Sequence, residues 1–256
     1  MGIHLLTFAG DYHGDTYTSA ANNLKKWAEE FNLFSSITII NPNILFQDYE
    51  FFQRHINYII KNKRGFGYWV WKPYIILKKL QELKEGDLLL YMDACCFLNI
   101  KAKEKFLHYV DLANKNPDGN LFFEYSQIIS NWCKMDLIEH LDAKNIMNER
   151  EIMPGVAFIR VNEKMINFYK KFYEIACNYH LIDDTPSISP NTPTFREHRH
   201  DQSIFSILVR KYCPLSISTS VFTSDMYFYK REKEGINYPI WIHSNNHYGY
   251  NGFKLI

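Results

Sequence analysis

The chain has 256 residues, 46% of them apolar and 16% aromatic, with 29 Lys and Arg against 28 Asp and Glu. That composition supports a full core and excludes a disordered chain, which is poor in aromatics and carries excess charge. A net charge of +1 excludes a general nucleic-acid binder, because affinity for phosphate backbones needs a basic surplus.

No run approaches the ~18 apolar residues of a membrane span. The opening GIHLLTFAGDYHGD meets Asp11 too early for a signal-peptide core. The cysteines at 95, 96, 133, 177 and 213 are odd in number and irregularly spaced. They are expected to be thiols in a reducing cytoplasm, and adjacent Cys95 and Cys96 match no zinc spacing. The simplest organisation is one α/β domain, with no repeat, low-complexity block or linker.

In chain order, the apolar run 3–9 predicts a buried first strand, closed by Gly10 and Asp11. Ala20, Leu24, Trp27, Ala28 and Phe31 recur at helical spacing, so a helix is expected over about 16–31, with Asp15 or Thr16 as its cap. SITII at 36–40 predicts a second strand, stopped by Asn41-Pro42. Strand, helix, strand points to a parallel sheet. A helix is expected over 44–62, then a basic loop, then a helix beginning near Pro73 with Ile76, Leu77, Leu80 and Leu83 on one face. LLLYM at 88–92 reads as a strand buried on both faces. Strands near 121–124 and 152–161 and a helix near 163–178 follow. The proline-bearing stretch 185–194 is expected to be a lid or a disordered flap. Asp201 is expected to cap a helix that turns Ile204, Phe205 and Leu208 inward, and the tail from about 215 reads as short strands and loops.

Four clusters could carry chemistry. Asp93 directly follows a buried strand, where open α/β sheets bind their ligands. A carboxylate there can coordinate a divalent ion that holds a diphosphate, or it can simply cap a turn. In Arg64-Gly-Phe-Gly-Tyr-Trp-Val-Trp-Lys-Pro73, two glycines permit positive φ. Tyr68, Trp69 and Trp71 offer flat faces to a base or sugar, unless they are core, and Lys72 beside a helix start suits a phosphate. Asp201 within REHRHDQS is either an N-cap or a carboxylate presented to an acceptor hydroxyl. His243 near the C-terminus could complete a metal site begun by a carboxylate. Gly155 in MPGVAF marks a strand that something approaches closely. The chain lacks G-x-S-x-G, a Walker A loop, G-x-G-x-x-G after a strand and H-E-x-x-H, which removes most hydrolase, NTPase, dehydrogenase and zincin readings.

Taken together, GFGYWVWKPYIILKKL, GDLLLYMDACCFLN, NWCKMD, MPGVAFIR and RHDQSIFSILV resemble a family of small bacterial GT-A glycosyltransferases of capsule, lipopolysaccharide and surface-glycan synthesis. The resemblance covers about residues 60–210. It implies a single Rossmann-like GT-A domain over 1–256 with a mixed, mostly parallel sheet. About 1–100 would bind the nucleotide sugar and about 101–256 the acceptor. It further implies a nucleotide-sugar donor (UDP favoured), a glycan or lipid-linked acceptor, and a divalent cation, Mn or Mg. Asp93 matches the first acid of a D-x-D-type element whose third position here is Cys95. Asp93 and His243 would hold the metal, and Asp93 and Asp201 would be catalytic. The implied substrate-binding set is Thr7, Tyr17, Arg64, Tyr68, Trp71, Lys72, Gly155 and Gln202, with Thr7 beside the nucleobase. The expected location is cytoplasmic, compatible with peripheral contact at the inner face of the membrane, although the overall charge indicates no broad basic face. The alternatives are a non-catalytic nucleotide- or glycan-binding module on the same scaffold and a sugar-phosphate nucleotidyltransferase. The second is disfavoured by the acidic AGDYHGD after the first strand.

Overall fold

The structure is a computed structural model that describes residues 1–10, 16–213, 217–218, 222–223 and 237–242. The first half runs β1 (Ile3–Phe8), α1 (Thr16–Phe31), β2 (Ser36–Ile40), α2 (Pro42–Leu45), α3 (Tyr49–Lys61), the single turn α4 (Gly65–Tyr68), α5 (Trp71–Glu82), β3 (Leu88–Met92) and β4 (Cys96–Leu98). Then follow α6 (Lys103–Lys115), β5 (Asn120–Leu121), β6 (Phe123–Ile128), α7 (Ile129–Trp132), α8 (Met135–His140), β7 (Arg150–Ile152) and β8 (Val156–Arg160). The chain continues through α9 (Glu163–Ala176), α10 (Tyr179–Ile182), α11 (Asp201–Tyr212), β9 (Ile217–Ser218), β10 (Phe222–Thr223) and β11 (Ile240–Ile242).

The central sheet has the order β2-β1-β3-β8-β5. β1 lies parallel to β2 and to β3, while β8 is antiparallel to both its neighbours, so four of the five strands run the same way. The expected mixed, mostly parallel sheet is therefore present. Alternation along the apolar β3 sends Leu89 and Tyr91 to one face and Leu88, Leu90 and Met92 to the other, each into its own core. Helices cover both faces. Leu24, Ala28 and Phe31 of α1 and Phe106 and Tyr109 of α6 pack on one side, and α5, α9 and α11 pack on the other. Much of the aromatic content is in that second core, where the Phe205 ring lies 5.0–6.4 Å from those of Phe122, Phe168, Tyr169 and Phe172. Among the described residues no helix is long and apolar enough to cross a membrane.

Three segments differ from expectation. The region 44–62 is two helices, because Asn41 and Asp48 each cap a new start, accepting from the amides of Ile44 and Phe51. The strand expected over 152–161 is two strands in different sheets. β7 pairs with β6 in a small sheet and β8 with β3 in the central one, and Met153-Pro154-Gly155 carries the chain across. Residues 185–194 are no flap. The Asp136 carboxylate accepts from the amides of Ile188 (2.7 Å) and Ser189 (2.8 Å), Asn191 Oδ1 accepts from Met135 N, and buried Lys134 donates to the Thr185 carbonyl. A loop with its backbone groups satisfied in this way is a fixed wall.

Candidate functional site

The C-terminal end of β3 and the first residues of α5 and α11 converge on one buried ammonium. Lys72, in the first turn of α5, is 2% exposed. Its Nζ lies 3.1 Å from Asp93 Oδ1 and 3.0 Å from Asp201 Oδ2. Asp93 follows β3 directly, and its Oδ1 also accepts from the Tyr91 hydroxyl at 2.6 Å. From the antiparallel neighbour, the Gly155 carbonyl accepts from Asp93 N at 2.8 Å. The glycine leaves room for that carboxylate, since a Cβ on residue 155 would lie 2.6 Å from Asp93 Oδ2 and displace it. Burial works against the Lys72 charge, but Asp201 and Asp93 more than offset it and hold the ammonium above the ordinary lysine range. Burial pushes the Asp201 carboxyl up to about 6, with Lys72 pulling it back and Asp93 adding to the rise. Burial likewise keeps the Tyr91 phenol protonated, as a donor to Asp93. One ammonium against two carboxylates leaves a net negative charge at the mouth of β3.

This geometry places the sequence candidates differently from one another. Lys72 is enclosed by carboxylates, and its charge holds Asp93 and Asp201 together. Asp201 is the first residue of α11; the N-cap is His200, so the expected cap role is corrected. Trp71 is core, stacked on Phe8 at 3.8 Å with its Nε1 donating to the Gly65 carbonyl, so that face is closed to a ligand. Tyr68 and Trp69 are half-buried against the His200 ring, Trp69 stacked on it at 5.3 Å and Tyr68 tilted to it at 4.9 Å. Arg64 pairs with Asp184 at 2.9 Å on the surface. Thr7, near the end of β1, is 1% exposed and its Oγ1 has no hydrogen-bond partner among the described residues. Tyr17 lies exposed in the first turn of α1. Gln202 donates its Nε2 to Glu151 Oε2 at 2.5 Å. His243 lies outside the described residues.

The turn that delivers Lys72 is left-handed. Gly65, Phe66, Gly67, Tyr68 and Trp69 all have φ between +51° and +80°. The Tyr68 and Trp69 amides donate back to the carbonyls of Arg64 and Gly65. Such a conformation costs a non-glycine residue roughly 1–2 kcal/mol, and strain of this kind gathers at functional sites. His200, at φ +55°, is a second strained point, immediately before Asp201. The contact of Tyr68 and Trp69 with His200 braces one strained segment against the other.

Glu151 was missed by sequence reasoning. It is fully buried on β7, and its Oε1 has no hydrogen-bond partner among the described residues. A lone acid in the apolar run EIMPGVAFI was the available signal. Burial pushes its carboxyl up to about 8, against the Gln202 amide and Arg199. The folded state therefore binds this proton more tightly than the unfolded chain. The stabilisation is complete below about pH 4.3 and is lost as pH rises through 8, at up to about 1.4 kcal/mol per pH unit. Glu151→Gln, which can still accept from Gln202, is expected to flatten that decline in denaturant unfolding measured at several pH values. An unchanged slope would remove Glu151 as its cause.

A divalent cation fits one part of the site. The Asp93 side chain is 31% exposed, is a hard oxygen donor, and stands where the net charge is negative. Among the described residues no three His, Cys, Asp or Glu are grouped to hold a metal, and Cys95 is a soft donor poorly suited to Mg or Mn.

No protein-family model matches the chain, and no curated protein does. Among solved structures it is similar to a glycosyltransferase involved in the glycosylation of the major capsid of PBCV-1, with 13% identity and a TM-score of 0.50 over 99% of this chain and 95% of that one. It is also similar to mouse xyloside xylosyltransferase 1 in its apo form, with 11% identity and a TM-score of 0.51 over 96% of this chain and 99% of that one. At these identities the likeness establishes the fold, a single α/β domain of the GT-A kind.

Proposed function

We propose that the chain is a glycosyltransferase that moves a sugar from a nucleoside diphosphate, UDP favoured, to a hydroxyl of a glycan or lipid-linked acceptor in bacterial surface-polysaccharide synthesis. The observation that carries this reading is the Lys72–Asp93–Asp201 group at the end of β3, in a fold shared with two glycosyltransferases. Departure of a diphosphate develops negative charge, and stabilising that charge is the main task of such a site. Asp93 would hold a divalent cation, which when bound neutralises the diphosphate. The hydroxyl of Thr7, unpartnered among the described residues, supports a polar nucleotide contact at the end of β1.

On the acceptor side, Asp201 meets the hydroxyl, taking its proton in an inverting reaction or anchoring it in a retaining one. A cavity of about 320 Å³, bordered by Lys134, Asp184, Asn191, Phe195 and His198, supports acceptor binding beyond it. Asp184, which borders that cavity, lies 3.6 Å from Nε2 of His200, the residue before Asp201. The test is a panel of UDP-sugars with Mn²⁺, monitored for transfer and for slow donor hydrolysis. Asp93→Ala is expected to lower turnover at least ~100-fold. Activity near that of the unmodified protein would overturn the donor-site assignment.

A further inference from the structure

Glu151 stands where an acid is expensive. It is fully buried, and a carboxyl taken out of water must be paired or kept neutral. The packing of α11 on β7 does not need it. Ile152 N donates to Ser206 Oγ at 2.8 Å, and the Ser206 hydroxyl reaches the Ile152 carbonyl at 3.4 Å. Glu151 Oε2 instead accepts from Nε2 of Gln202, one turn before Ser206 on the same face of α11. The segment that begins with Glu151 ends on Gly155, whose carbonyl accepts from Asp93 N. Residues 151–155 therefore touch the site at two points, Gly155 at Asp93 and Glu151 at the residue after Asp201.

A carboxamide has a donating end and an accepting end, so a bond to one decides where the other faces. With Nε2 held by Glu151, the Gln202 oxygen is turned away from that carboxyl, and among the described residues nothing donates to it. Gln202 is half-buried, which leaves that oxygen free to meet a ligand. Burial keeps a proton on Glu151, and since Oε2 is the acceptor, the proton belongs to Oε1. The charged groups that act on this carboxyl are Arg199 before α11 and Asp201 on it, and the Cys133 thiol feels it in turn. Further along, Arg210 of α11 is taken up by Glu124 of β6 and by Glu149. We propose that Glu151 is a positioning residue: it fixes the Gln202 carboxamide with nitrogen inward and oxygen toward the substrate, where the oxygen accepts from a sugar hydroxyl. The sugar contact rests on the transferase reading, whereas the orientation of Gln202 does not.

The first test is spectroscopic. In nitrogen–proton correlation spectra of the full chain, the Gln202 side-chain amide signals are assigned by their loss in Gln202→Ala. They are expected to shift as pH passes through about 8, and to stop doing so in Glu151→Gln. The second test is kcat/KM for transfer from the UDP-sugars of the panel. Glu151→Leu fills the space without an acceptor and is expected to lower kcat/KM about ten-fold, whereas Glu151→Gln, which still accepts from Gln202, should stay within about three-fold of the unmodified protein. Leucine would serve a purely structural role at a buried position, so a retained thermal midpoint beside lost turnover separates positioning from folding. Gln202 signals indifferent to that titration would overturn the proposal, as would Glu151→Leu turning over as fast as the unmodified protein. Absence of transfer by the unmodified protein with every donor would sink the transferase reading and the sugar contact with it, while the amide signals decide the orientation of Gln202 separately.

Discussion

Replacing Lys72 with methionine is expected to destabilise the protein by about 3–5 kcal/mol and to abolish measurable transfer. The side chain occupies a similar volume, so the effect isolates the charge. Without the ammonium, Asp201 is buried with no counter-ion and Asp93 keeps only the Tyr91 hydroxyl. Removing one partner of a buried ion pair costs this much because the remaining charge stays desolvated. Chemical denaturation gives the stability change. The double variant Lys72→Met/Asp201→Asn should recover part of it, since no unpaired charge then remains at position 201. A single variant as stable as the unmodified protein would show that the three groups are not coupled.

Gly155→Ala is expected to do the opposite: little loss of stability, large loss of activity. The new methyl would stand 2.6 Å from Asp93 Oδ2, too close to coexist with it. The carboxylate is the end of a rotatable side chain, so it can swing aside, and the strain should stay within the roughly 1–3 kcal/mol typical of overpacking. Swinging aside, however, breaks its register with Tyr91 and Lys72. A misplacement of about 1 Å can lower turnover ~100-fold, and that is the expected fall in kcat/KM. Thermal unfolding and kinetics on one sample separate the two effects. An alanine variant with unimpaired kcat/KM would show that the position of Asp93 is not critical.

The first three strands and α1 were legible because their signals are local. Apolar runs closed by Gly10-Asp11, Asn41-Pro42 and Asp93, and the spacing from Ala20 to Phe31, each lie within one element. Asp93 and Gly155 could be singled out for the same reason. The pairing of Lys72 with Asp201 was not legible, because it joins residues far apart in the chain whose meeting depends on how α5 and α11 pack on β3. The role first given to Lys72, contact with phosphate, followed from its place at a helix start. The contacts that the structure shows, to Asp93 and Asp201, follow from what faces it. Trp71 illustrates the same limit: an aromatic beside a glycine pair reads as a platform until its neighbour Phe8 is seen to cover it.

The left-handed turn has a geometric consequence for the charges. Five consecutive residues with positive φ, 65–69, end three positions before Lys72 and so fix the direction in which the chain enters α5. A change of backbone hand at Phe66, Tyr68 and Trp69 would therefore alter the path that delivers the ammonium, without altering a single polar residue. The sign of a torsion angle at 65–69 thus helps determine whether Asp93 and Asp201 share one counter-ion.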